Sequence, residues 1–195
     1  MNPFIKYNEI LRKYLKPNIS TLYQLWNDPK RKYHNMEHLE KILIELEKSR
    51  DKVLPLHWDA LVLAAFFHDA IYVTGRKDNE AESMIFFFRS YNNTDYWLAQ
   101  KVGFMIDATK SRKIPMDDYL VKIFWEADNE ELVNGGLDTL KKNEEKIRAE
   151  FPQYSDSVYK KGRMEFINSC IGLYGKKTDE NLSRLKEYIE EKYKS

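Results

Sequence analysis

The feature that leaves this chain least freedom is the run Leu-Val-Leu-Ala-Ala-Phe-Phe at residues 61–67, followed at once by His68 and Asp69. An unbroken apolar run has no polar face, so the element that carries it is buried on every side. A central strand would fit the same pattern; length and the Ala64-Ala65 pair favour a helix over 58–72. Two ionisable groups then stand where a buried element finishes, and burying either without a partner costs several kcal/mol. Each needs a partner or a metal, unless the helix emerges into water there and Asp69 bonds a backbone amide or an arginine.

The rest of the sequence also reads as helical. Seven Gly and six Pro in 195 residues fall well below the usual ~12%, too few for the turns of a many-stranded sandwich or barrel. Leu39, Ile42, Leu43 and Leu46 form one apolar stripe on a helix over 35–50. Further helices are expected over 3–15 and 20–27, separated by Pro17-Asn18, and over 79–90, capped by Asp78. Others are expected over 95–109, capped by Thr94, and over 116–128, after Pro115. Gly135-Gly136 precedes 137–151, Ser155 opens 155–173, and the last helix spans 179–193. With 43% hydrophobic and 14% aromatic residues the chain has enough apolar mass for a sizeable core. The fold class is therefore all-α: a single-domain helical bundle over 1–195, without repeat or linker.

Thirty-two Lys and Arg against thirty-one Asp and Glu give a net charge of +1, so no basic surplus favours a nucleic-acid backbone as partner. The Lys/Arg-rich stretch 176–194 is interleaved with Asp179, Glu180, Glu187, Glu190 and Glu191 and reads as a solvated helix face. Cys170 is the only cysteine, which excludes an internal disulfide and a thiolate zinc cluster. No secretory h-region occurs near the N-terminus, and the apolar run falls far short of the ~20 residues that span a bilayer. The expectation is a cytoplasmic chain with no membrane partner.

Chemistry concentrates at the histidines. His34 and His38 are four apart, which places both imidazoles on one face, ~6 Å from each other, if a helix has begun by His34. The zincin pattern fails because Asn35 stands where its Glu would be. His38 falls in the first turn of helix 35–50 and His68-Asp69 in the last turn of helix 58–72. The short connection between these helices favours an antiparallel pair, which brings His38, His68 and Asp69 to one end of the bundle. Asp128, closing helix 116–128 after Ile123, Phe124 and Trp125, is the acid best placed to be a fourth ligand. Two imidazoles and two carboxylates suit Mn, Fe, Ni, Zn, Co or Mg. His57 reads as a loop or N-cap-region residue and not as a ligand.

The series His38, His68-Asp69, Asp128 resembles the H…HD…D signature of the HD-domain superfamily of metal-dependent phosphohydrolases. The stretch Arg-Lys-Tyr-His-Asn-Met-Glu-His at 31–38 is similar to the YHNxxH signature of cyclic-nucleotide phosphodiesterases, members of that superfamily. A bacterial family of HD phosphohydrolases of about this length is closer still. Its features recur as R-x-YHN-x-x-H at 31–38, A-x-FHD-x-x-Y at 65–72, NE-x-x-S at 79–83 and I-x-A-T at 106–109. R-x-E-aromatic at 148–151 and Y-x-x-GR at 159–163 complete the set, so the likeness spans about residues 26–174. It implies an all-α fold with a divalent metal ion held by His38, His68, Asp69 and Asp128, and hydrolysis of a phosphoric ester by metal-activated water. Two departures stand out: Glu126-Ala127-Asp128-Asn129 replaces the family's Asp-Ala-Asp-Leu, and Ser111-Arg112-Lys113 stands where a His often follows the I-x-A-T segment.

On this reading Asp69 orients the water and His34 is the candidate general acid for the leaving oxygen, as the phosphodiesterase likeness also implies. Arg31, Lys110, Arg148 and Arg163 are candidates to hold phosphate oxygens, with ion pairs to Glu37, Glu80, Glu150 or Glu165 as the scaffold alternative. Glu80 is a candidate partner of His38 or of a metal's water, or else a helix cap. Tyr33 and Tyr72 are candidates to stack a base. The expected substrate is a small phosphorylated molecule, a nucleotide foremost. The alternatives are a non-catalytic nucleotide-binding HD module and a di-iron oxygenase, the latter disfavoured because no His lies between Asp69 and Asp128. Phe86-Phe87-Phe88 and Tyr96-Trp97 read as core or as the contact of a homo-oligomer.

Overall fold

Several helix starts in this chain are set by a short polar side chain or a proline. The computed structural model describes residues 1–15 and 19–193; the break expected at Pro17-Asn18 lies outside them. Among the described residues the chain is all-α, with twelve α-helices, one short 3-10 turn and a single isolated bridge between Leu15 and Tyr91. Contacts sort these elements into two compact units, Met1–Asp128 and Asn129–Ser195, each with a hydrophobic core of its own.

In the first unit the helix expected over 3–15 is two, α1 (Pro3–Lys6) and α2 (Asn8–Tyr14), because the backbone breaks at Tyr7, whose hydroxyl donates to Glu47. α3 spans Ile19–Trp26. α4 (Met36–Glu47) begins at Asn35, whose side chain accepts from the amides of Glu37 and His38. A 3-10 turn, Arg50–Lys52, leads to α5 (Pro55–Phe67). α5 starts three residues earlier than expected because Pro55 takes the first helical position, where its missing N–H costs nothing, so His57 is helical. α6 (Asn79–Ser90) follows Asp78, which binds Arg76 instead of capping. α7 (Tyr96–Ala108) is capped by Asp95 and not by Thr94. α8 (Tyr119–Asp128) is capped by Asp118, which accepts from Leu120 and Val121, and so begins later than 116.

α5 is the axis of this unit. Every residue from Trp58 to Phe67 is buried, and α2, α4, α6, α7 and α8 all pack against it. Removing each such Leu, Val or Phe side chain from water contributes roughly 1.5–3 kcal/mol, and the two alanines let neighbouring helices approach closely.

In the second unit α10 (Leu137–Glu150) and α11 (Asp156–Cys170) both pack on α12 (Lys176–Lys192). The short α9 (Glu130–Val133) is an element the sequence pattern did not announce. α12 opens three residues before expectation because Gly175, at φ +100, turns the chain directly into it. The core here includes Leu140, Ile167, Leu182, Leu185 and Ile189. No helix among the described residues is long and apolar enough to cross a membrane.

Ala64→Leu is expected to lower unfolding free energy by ~1–3 kcal/mol through overpacking. Ile44→Ala, at an exposed position of α4, should stay within about 0.5 kcal/mol of wild type by urea denaturation, as surface changes usually do.

Candidate metal centre

A buried helix C-terminus leaves carbonyls that need donors, and at the end of α5 three side chains supply them. Trp26 Nε1 donates to Phe66 O at 2.9 Å. Arg31 sends one donor to Asp69 O and another to Ala70 O, each at 2.7 Å. His68 turns its own Nδ1 back to Ala65 O at 3.0 Å. This last bond fixes the imidazole as the tautomer with its proton on Nδ1, so Nε2 presents a lone pair away from the helix. α5 stops at Phe67 for this reason, leaving His68 as its C-cap and Asp69 in the following turn, short of the expected end at 72.

Around that Nε2 the other groups converge. Asp69 Oδ2 lies 3.3 Å from it and Asp128 Oδ1 3.5 Å. His38 Nε2, from the first turn of α4, is 3.3 Å from Asp128 Oδ1 and 4.0 Å from Asp69 Oδ2. The ligand atoms of His38, His68 and Asp69 lie within 4.8 Å of one another. α4, α5 and α8 thus bring together His38, His68, Asp69 and Asp128 in the first unit.

The donor set fits a divalent cation. His68 is 1% exposed, yet its Nε2 has no hydrogen-bond partner while two carboxylates face it. An imidazole lone pair held against carboxylate oxygens in a buried site is repulsive unless something positive lies between them. Without a cation that charge is a proton. Burial opposes the imidazolium, but Asp69 and then Asp128 outweigh it and push the His68 pKa up to about 9. Burial likewise works against the Asp69 carboxylate, and the neighbouring His68 more than reverses this, holding its pKa far below the usual range.

The flanking residues make an aromatic wall. His34 precedes the cap Asn35 and so is not helical, contrary to the premise of the four-residue spacing. The loop nevertheless sets its ring 5.9 Å from that of His38. Tyr72 stacks on His34 at 4.0 Å, and Tyr33 stands edge-on to it at 4.8 Å. Arg31, a candidate for phosphate oxygens, is buried and turned to the backbone carbonyls of Asp69 and Ala70, with its guanidinium 5.8 Å from the Tyr72 ring. Glu80 is half-buried at the start of α6, and its charge reaches Lys110, an exposed side chain bonded to Asp107. Arg148 and Arg163 belong to the second unit. There Arg148 binds Asp156 and the carbonyls of Phe151 and Tyr154, while Arg163 and Tyr159 both bind the buried Glu144.

Three functional contributors carried no assigned role in the sequence. Asn79 bonds both the N–H and C=O of Val73, and Ser83 both those of Ile71. Together they grip the segment that follows Asp69 and carries Tyr72. Their spacing in NE-x-x-S, one helical turn apart before an apolar stretch, was the available signal. Trp26 had none, because its partner lies forty positions away. Of the two departures from the motif that the sequence resembles, Glu126 is exposed and pairs with Lys122 at 3.8 Å. The stretch around Ser111 is a turn whose carbonyl accepts from Trp125 Nε1 at 2.9 Å. Comparison with family models, curated proteins and solved structures finds no match.

The raised His68 pKa gives a signed expectation for the protein with no cation at the cluster. The folded state holds that proton more tightly than the unfolded chain, so the stabilisation is complete below pH 6.5 and is lost as pH rises through about 9. Chemical denaturation after chelation should show stability falling across this window. Added divalent cation, which competes with the proton, should stabilise most at its upper end.

Proposed function

We propose that this chain is a metal-dependent phosphohydrolase acting on a small phosphoric ester, a nucleotide or a compound like it. The observation that carries the reading is the buried His68 Nε2, tautomerically fixed and facing two carboxylates, with a second imidazole beside it. His38, His68, Asp69 and Asp128 would hold the cation. When bound, a divalent ion at such a site supplies Lewis-acid activation of water and of a phosphoryl oxygen. Likeness to the HD signature supports the same assignment.

The chain's own residues do the rest. Asp69 turns Oδ2 toward the imidazoles, so Oδ1 is the atom suited to orient a water proton for attack on phosphorus. His34, held in plane by its stack on Tyr72, donates a proton to the leaving oxygen from its imidazole. Tyr33 and Tyr72 offer flat apolar surface to the group that the phosphate esterifies. Arg31 fixes the Asp69-Ala70 turn, so the position of the Asp69 carboxylate depends on it.

Purified protein should take up about one divalent ion per chain and hydrolyse members of a panel of nucleotides and phosphoesters only when loaded. His34→Ala should lower turnover by about 10²–10⁴-fold with metal content unchanged; lost metal would make His34 a ligand instead. Asp128→Ala should abolish uptake and activity together. A loaded protein inactive on the whole panel would favour a nucleotide-binding module, and a chain that takes up no cation would sink both readings.

A further inference from the structure

The first unit carries an aromatic strip that its own packing leaves open to water. On α6, Ile85 and Phe88 are three residues apart and share a face. Phe88 lies across Gly103 of α7, its ring atom 3.1 Å from where a Cβ on that glycine would stand. Any larger residue at 103 would lift the ring. Phe104 follows directly, and Trp97 lies two turns earlier on α7, with the Lys101 ammonium 6.0 Å from the first ring and 5.8 Å from the second. Trp97 stacks on His57 at 5.0 Å, and His57 Nδ1 meets the Tyr119 hydroxyl at the start of α8. These contacts tie α7 to α6 through Phe88 and to the start of α8 through His57 and Tyr119. Phe88, Trp97, Phe104 and Tyr119 are each between 39% and 54% exposed.

We propose that this strip is the face through which two copies of the chain associate. The charges within it argue for a second copy over a charged partner. Lys101 and Asp118 form an ion pair with each other, so the ammonium lying between the Trp97 and Phe104 rings is matched by a carboxylate within the strip. In a two-fold interface the same patch meets itself, which a net charge would oppose by like-charge repulsion and a neutral aromatic surface does not. The composition is that of an interface centre, rich in aromatic side chains and depleted of unpaired charge. The area agrees as well. Four half-exposed rings with Ile85 present roughly 400–500 Å², the greater part of the ~800 Å² per partner of a standard specific interface. The polar rim supplies the remainder.

Light scattering coupled to size-exclusion chromatography, run over a concentration series on the full chain, tests this. The expected result is a single species at twice the chain mass of 23.4 kDa. Phe104→Glu and Phe88→Glu should each weaken association by about tenfold or more, whereas Val158→Glu, exposed on α11, should not. Circular dichroism accompanies each variant. If either glutamate lowers the helical signal, Phe104→Gln, which removes apolar area without adding charge, carries the test with the same expected direction. A wild type that stays at the monomer mass throughout overturns the proposal. So does a dimer indifferent to these substitutions, a dimer broken by Val158→Glu, or a spread of larger aggregates in place of one defined species.

Discussion

The carbonyls left at the buried end of α5 are the constraint on which the first unit's chemistry depends. A helix that finishes at the surface gives its last carbonyls to water; one that finishes inside the protein must find donors or lose several kcal/mol. Trp26, Arg31 and the Nδ1 of His68 are those donors. Each bond also does something for the site. Trp26 brings its ring to 5.7 Å from that of His68, Arg31 fixes the turn that holds Asp69, and His68 is locked in the tautomer that directs Nε2 at two carboxylates. Helix termination and the shaping of the His/Asp cluster are here one set of contacts.

Much of this was legible in the sequence, and the reasons are local. The all-round apolar run at 61–67 announced a buried helix, the stripe Leu39, Ile42, Leu43, Leu46 announced α4, and all four of these side chains are buried. The convergence of His38, His68-Asp69 and Asp128 followed from placing each near one end of its helix. The parts that could not be read depend on distant partners. Arg31 looks like a phosphate ligand in a linear motif because nothing in the chain says that carbonyls thirty-eight and thirty-nine residues away will claim it. Helix starts moved for a related reason. Asp95 outcompetes Thr94 as a cap, and Asp118 delays α8, because one side chain reaches the amides two or three residues on and its neighbour does not.

The division after Asp128 bears on how the candidate residues sort. The four groups of the cluster, the aromatic wall of Tyr33, His34 and Tyr72, and the grips of Asn79 and Ser83 all belong to Met1–Asp128. Arg148 and Arg163 belong to Asn129–Ser195, where Glu144, buried beneath Tyr159 and Arg163, organises a polar network inside an otherwise apolar core. A buried carboxylate with two donors on separate oxygens is well satisfied, which accounts for these side chains as parts of the second unit's own packing.

Because Trp58–Phe67 of α5 is buried throughout, the backbone amides of that stretch can meet solvent only when the surrounding helices separate together. Such segments exchange their hydrogens at the rate of whole-unit opening and not by local fraying. His68 and Asp69 are attached directly to that slowest-exchanging stretch, whereas His34 and Tyr33 sit in a loop before α4. The two parts of the site are therefore held differently: His68 and Asp69 by the end of the innermost helix, and His34 by ring contacts to Tyr33 and Tyr72.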